Sequence, residues 1–159
     1  MSETSGIVDR VHPPESAGQL MTRRVATAGR EERVAALRER LARAALDVVD
    51  PICVVDEEER YVGAIGLAAL IGASGDAEVA ALVRPSWPRV PPEMDQEKVA
   101  ALARERSVSA VPVVDDAGRL LGCVSALALL DVVWREHVED IQRIAGIVHA
   151  TDAARHALE

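Results

Sequence analysis

The strongest constraint in this sequence is that it repeats itself. Ile52-Cys53-Val54-Val55, the acidic stretch Asp56 to Arg60 and the apolar run Tyr61 to Ile65 recur as Val111-Pro112-Val113-Val114, Asp115 to Arg119 and Leu120 to Val124. The offset is fixed: Asp56 maps to Asp115 (115 − 56 = 59) and Gly63 to Gly122 (122 − 63 = 59). A repeat that holds through strand, turn and strand means two copies of one module, each with a sheet face it cannot bury alone. Each apolar run reads as a strand of a mostly covered sheet. Asp115-Asp116-Ala117-Gly118 is a tight-turn sequence, so the two runs form a hairpin. Ser125 then caps a helix that starts near Ala126.

Around the hairpins the order is short helix (Ala17 to Met21), short strand (Arg23 to Ala26) and main helix (Arg30 to Leu46). Val34, Leu37, Leu41 and Ala45 share one face of that helix, and Glu39 to Arg43 offers an i,i+4 ion pair. The second copy reads Val79 to Val83, Pro88 to Pro92 and Asp95 to Arg106. Between Leu37 and Leu102 the offset is 65 (102 − 37), so module one carries six extra residues around Ala44 to Asp50 (65 − 59 = 6). The resulting organisation is a lead-in (1–16) expected to be disordered, module one (17–75), module two (76–134) and a helical extension with its tail (135–159). The last helix, from about Ala126 through Ile144, outruns its module-one counterpart and must project beyond the pair.

Composition narrows the function. With two Trp, one Tyr and no Phe, the core is aliphatic and the chain has no stacking platform for single-stranded nucleic acid. The formal charge of −8 is uneven: residues 1–45 hold 8 Arg and 6 acids, leaving 10 basic and 20 acidic residues for 46–159. An acidic second half argues against nucleic acid and anionic lipid, and for cations or a basic protein surface. Cys53 and Cys123 fit no metal spacing and read as small buried hydrophobes of a reducing compartment. The longest uncharged run, Tyr61 to Gly75, is 15 residues (75 − 60 = 15). A bilayer span needs about 20. With no signal peptide either, the expectation is a cytoplasmic protein without direct membrane insertion.

The two pieces VVDEEERYVG and VPVVDDAGRLLGCVS, in this doubled order, resemble the cystathionine-beta-synthase (CBS) domain pair, over residues 17 to 134. The tail Asp131 to Ile147 and the stretch Val90 to Val99 are similar to the MgtE magnesium channels within that group. The resemblance implies an α/β (α+β) tandem pair of β-α-β-β-α modules with a long C-terminal connecting helix. It also implies a regulatory sensor, not a catalyst, that assembles as a flat homodimer and answers to Mg²⁺. The family's acidic helical domain and membrane domain have no counterpart here, so a membrane transport domain or another regulated protein is the expected partner.

Positions matching the family's metal-binding acids are Asp95, Glu97, Glu136, Glu139 and Asp140; two further acid positions are occupied by Ser107 and Ala128. Facing carboxylates repel when bare, and a hard divalent cation relieves them. The adenine-nucleotide pocket of CBS domains carries Gly-h-h-Ser/Thr-x-x-Asp. Module two keeps Gly122 and Ser125, beside Val111 and Pro112, but has Ala128 for the acid; module one has Gly66 and Ala69. Losing that carboxylate removes a charge-assisted hydrogen bond of about 1.5–3 kcal/mol. His137, His149 and His156 lack zinc spacing, and Gly122-Cys123-Val124-Ser125 lacks a nucleophile elbow. Three readings stay open: a cation-responsive module, an adenine-nucleotide module, and a dimerisation scaffold.

Overall fold

The computed structural model describes residues 11–156, with side chains described through Ala145. Residues 1–10 of the lead-in, residues 157–159 and the side chains of His149 and His156 therefore lie outside the described residues. The elements are α1 (Ala17–Leu20), β1 (Val25–Gly29), α2 (Val34–Ala42), β2 (Val48–Val55), β3 (Tyr61–Ile65) and α3 (Leu67–Gly72). A 3₁₀ turn (Val79–Ala81) leads to α4 (Gln96–Arg106), β4 (Val111–Val114), β5 (Leu120–Val124) and α5 (Ala126–His156).

In module one β2 pairs parallel with β1 and antiparallel with β3. In module two β4 and β5 pair antiparallel, and the strand expected over Pro88 to Pro92 shrinks to one parallel bridge between Val90 and Val113. Pro88, Pro91 and Pro92 flank that bridge without an N–H to donate, so the ladder cannot lengthen. Helix α2 is shorter than its periodicity suggests because the amides of Val34 and Ala35 bond Ala77 and Gly75 carbonyls. Val34 and Leu37 are fully buried, while Ala45 falls beyond the helix and is exposed. Part of the six-residue insertion is absorbed within β2. Val25 pairs with Val48 and Thr27 with Cys53, so two steps on β1 face five on β2, a bulge that carries Pro51.

The repeat survives as geometry. Asp56 Oδ1 accepts the amides of Glu58 and Arg60 at 2.9 Å each, and Asp115 Oδ1 accepts those of Ala117 and Arg119 at 2.9 Å each. Arg60 and Arg119 (119 − 60 = 59) bridge one another, which places them on a local two-fold relating the modules. Leading segments cross that axis. Thr22 exchanges backbone hydrogen bonds with Cys123 of β5 (2.9 and 3.0 Å), and Arg84 does the same with Ala64 of β3 (2.8 and 3.3 Å).

Consequently Ala17 packs in the core of module two with Val99, Val111 and Val124, whereas Val79 packs in that of module one with Leu37, Ile52 and Ile65. The end of the lead-in is anchored as well: Ser16 is 1% exposed and bridges Asp95. A third cluster, with Cys53, Tyr61, Trp87 and Cys123, fills the seam between modules.

Candidate functional site

Two places gather polar groups that the sequence singled out. The first is the contact of α4 with α5. Asp95 is the N-cap of α4, its Oδ1 accepting the Glu97 amide at 2.8 Å. That hydrogen bond fixes the first turn and points Glu97 toward α5. There it meets Glu136: a hydrogen bond between the two carboxyl groups, then repulsion from Glu136, raises the Glu97 carboxyl above its ordinary value. Desolvation and the charges of Asp95 and Glu15 push the same way. Two acids are thus held against each other although both are exposed.

Glu139 and Asp140 lie further along α5, where Asp140 sits 3.8 Å from Arg143. The structure therefore brings Glu97 and Glu136 together with Asp95 beside them, and leaves Glu139 and Asp140 outside that contact. Among the described residues no three His, Cys, Asp or Glu converge as a ready ligand cage. Two carboxylates with open solvent fit Mg²⁺, which keeps several waters and takes one or two protein carboxylates.

The second place is a cleft of about 590 Å³ lined by both modules. Thr22, Asp47 and Asp50 border one side, Ser109, Ser125 and Leu127 the other. Of the four nucleotide candidates only Ser125 reaches it, and its Oγ also accepts the Ala128 amide at 3.2 Å as a helix cap. Val111 and Pro112 are buried in β4. Gly122 is required by the chain crossing, since a Cβ there would lie 2.3 Å from the Thr22 carbonyl oxygen.

The carboxylates bordering the cleft come instead from the insertion. Asp47 Oδ2 accepts the Thr22 hydroxyl at 2.6 Å, and Asp50 Oδ1 caps α3 by accepting the Leu67 amide at 2.9 Å. Ser109 donates to the Asp50 carbonyl at 3.3 Å. Sequence reasoning missed Thr22, Asp47, Asp50 and Ser109; the surplus of residues before β2 was the available signal. A wider hollow of about 700 Å³ opens beside Arg30 and Asp56. Four of its acids are paired, Glu32 with Arg40, Glu78 with Arg33, and both Asp56 and Glu58 with Arg60, and the turn amides hold the Asp56 carboxyl below its ordinary range.

No described helix is long and apolar enough to cross a membrane. Sequence comparison finds the magnesium transporter MgtE of Thermus thermophilus 36% identical over 135 residues, covering 84% of this chain and 30% of that protein. MgtE of Bacillus subtilis is 28% identical over 136 residues, again 84% of this chain and 30% of the relative. The chain thus spans about a third of the length of these relatives. Among solved structures, the cytosolic domain of the Mg²⁺ channel MgtE in complex with ATP superposes with a TM-score of 0.74 at 35% identity, over 76% of this chain and 50% of that one. The soluble part of a magnesium transporter follows at 0.72 and 30%, over 79% and 50%. The CBS domain profile matches residues 17–76 and 79–135, the two copies whose hairpins and crossed leads are described above. With both copies matched and the doubled architecture in place, this chain belongs to the CBS domain family as a tandem pair related to the cytosolic region of MgtE.

Proposed function

We propose that this chain is a non-enzymatic regulatory module that responds to Mg²⁺ and belongs to the control of magnesium transport. The observation that carries the reading is the contact of Glu97 on α4 with Glu136 on α5, two acids whose mutual repulsion a hard cation relieves. Glu97 and Glu136 would hold the ion, Asp95 would add to the field, and the ion supplies charge neutralisation. Tying α5 to α4 then shifts the population of α5 orientations, which an attached or bound partner reads. Glu139 and Asp140 complete the site in this reading from the projecting part of α5, or from a second copy. A homodimer is supported by the apolar stripe Leu127, Leu130, Trp134, Ile141 and Ile144, each more than half exposed along α5.

The test is the unfolding midpoint with and without Mg²⁺ at constant ionic strength. For a dissociation constant near 1 mM, 10 mM cation adds about 1.4 kcal/mol. In a chain of this size that is about 3–6 °C. Glu97→Gln with Glu136→Gln should abolish the rise, and an unchanged wild-type midpoint would remove the basis of the proposal.

A second reading rests on the cleft. Its hydroxyls and the carboxylates of Asp47 and Asp50 provide acceptors for ribose hydroxyls that the alanine at position 128 no longer offers, and the MgtE cytosolic domain has been solved with ATP. It requires that ATP or AMP raise the midpoint in the absence of Mg²⁺.

A further inference from the structure

The seam between the modules holds a pair of thiols that neither reading uses. Cys53 lies on β2 of module one and Cys123 on β5 of module two, both 0% exposed, with their Sγ atoms 3.5 Å apart. In sequence they are 70 residues apart (123 − 53) and not related by the repeat, whose offset is 59. Packing of the two hairpins across the local two-fold brings them together. A disulfide needs about 2.05 Å between sulfurs, so the present separation is about 1.5 Å from bonding distance.

We propose that Cys53 and Cys123 form a reversible intramolecular disulfide that locks the two modules together in response to peroxide. One thiolate attacks the peroxide oxygen, expelling hydroxide that leaves as water, and becomes a sulfenic acid. The second sulfur attacks the sulfenic sulfur and the second water departs. Two thiols thus lose two protons and two electrons while one peroxide is reduced to two waters.

The surroundings make this bond consequential and gated. Cys123 exchanges both backbone hydrogen bonds with Thr22, which borders the inter-module cleft, and β2 contributes Val48 and Asp50 to the same cleft. A covalent tie between β2 and β5 therefore fixes the cleft's two walls. In the closed state oxidation is slow. The hydrogen bond with Cys123, burial and repulsion from Cys123 all hold the Cys53 thiol protonated, and the thiolate is the reactive form.

Reaction thus proceeds through opening of the seam, whose buried residues are Val, Ala and Cys packed around Tyr61 and Trp87. It contains no buried Leu or Ile, unlike the core of module one. It also encloses the Tyr61 hydroxyl, 5% exposed as a residue and without a hydrogen-bond partner among the described residues. A buried hydroxyl left without a partner regains water when the seam opens, which lowers the cost of that opening.

The test uses the full chain, hydrogen peroxide and sub-denaturing urea, followed by thiol titration, intact mass and melting. The expected result is joint loss of both thiols, a mass fall of about 2 Da and reversal by dithiothreitol. The expected melting shift is upward by several degrees, because the bond closes a long loop. Urea accelerates the reaction if opening gates it. Peptide mapping of the wild-type protein identifies the linked pair directly, so the result stands even if Cys53→Ser or Cys123→Ser folds poorly. Persistence of both thiols, sulfinic products on separate sulfurs, a disulfide between chains, or a lowered melting point would each overturn the proposal.

Discussion

Replacing one hydrogen atom at Gly122 tests how the modules are built. The backbone there adopts no left-handed conformation, so an alanine would be free of φ strain. Its Cβ, however, would lie 2.3 Å from the Thr22 carbonyl oxygen, 3.1 Å from the Thr22 carbonyl carbon and 3.3 Å from the Met21 sulfur. The oxygen belongs to the crossing backbone and cannot swing away as a side chain could. Overpacking of this kind costs about 1–3 kcal/mol. Relief by displacing the strand breaks the two bonds between Thr22 and Cys123 (2.9 and 3.0 Å), worth about 1 kcal/mol each. Allowing for alanine's smaller unfolded-state entropy, Gly122→Ala should cost about 2–4 kcal/mol. Urea unfolding gives the number, and hydrogen exchange at the Thr22 amide should accelerate with it. Gly29→Ala serves as control, because nothing lies within 4 Å of its added Cβ. If Gly122→Ala matches that control, the crossing of leads is not what holds the modules together.

Two further outcomes follow from the same geometry. Glu59 (φ 62) occupies in module one the left-handed turn position that Gly118 (φ 82) occupies in module two. Glu59→Gly should therefore stabilise by about 0.5–1 kcal/mol and Gly118→Ala destabilise by about 1–2 kcal/mol; opposite signs in chemical denaturation would contradict this reading of the turns. The pH profile separates two acids. Glu97, its carboxyl raised in the fold, contributes stability that is present at acid pH and lost as pH rises through its folded value. Asp56, lowered by its turn amides, contributes stability present at neutral pH and lost as pH falls through its folded value. Glu97→Gln should flatten the first limb of a stability-against-pH curve and leave the second, with any Mg²⁺ response fading as the carboxylates protonate. A Glu97→Gln profile identical to wild type would show that Glu136 does not sense it.

What the chain alone determined is whatever depends on neighbours in sequence. The offset of 59 fixed two copies of one hairpin, the Asp56 and Asp115 turns followed from acids that bond their own following amides, and Ser125 capped α5 as its position required. The i,i+4 pair of Glu39 and Arg43 formed at 3.0 Å for the same reason. Resemblance to a known family added the five acids, and folding sorted them: Glu97 and Glu136 met because α4 packs on α5, a contact no local pattern encodes.

Tertiary structure alone decided the exchange of leading segments, since α1 and the Val79–Ala81 turn each bury apolar residues against the other copy. That exchange gave Gly122 its role beside Thr22, while packing of the modules turned an insertion into the acid-bearing wall of a cleft and drew together two cysteines 70 residues apart. Spacing in sequence carries no distance once the chain crosses an axis. The repeat could announce two modules, and only their packing could say which atoms of one would touch the other.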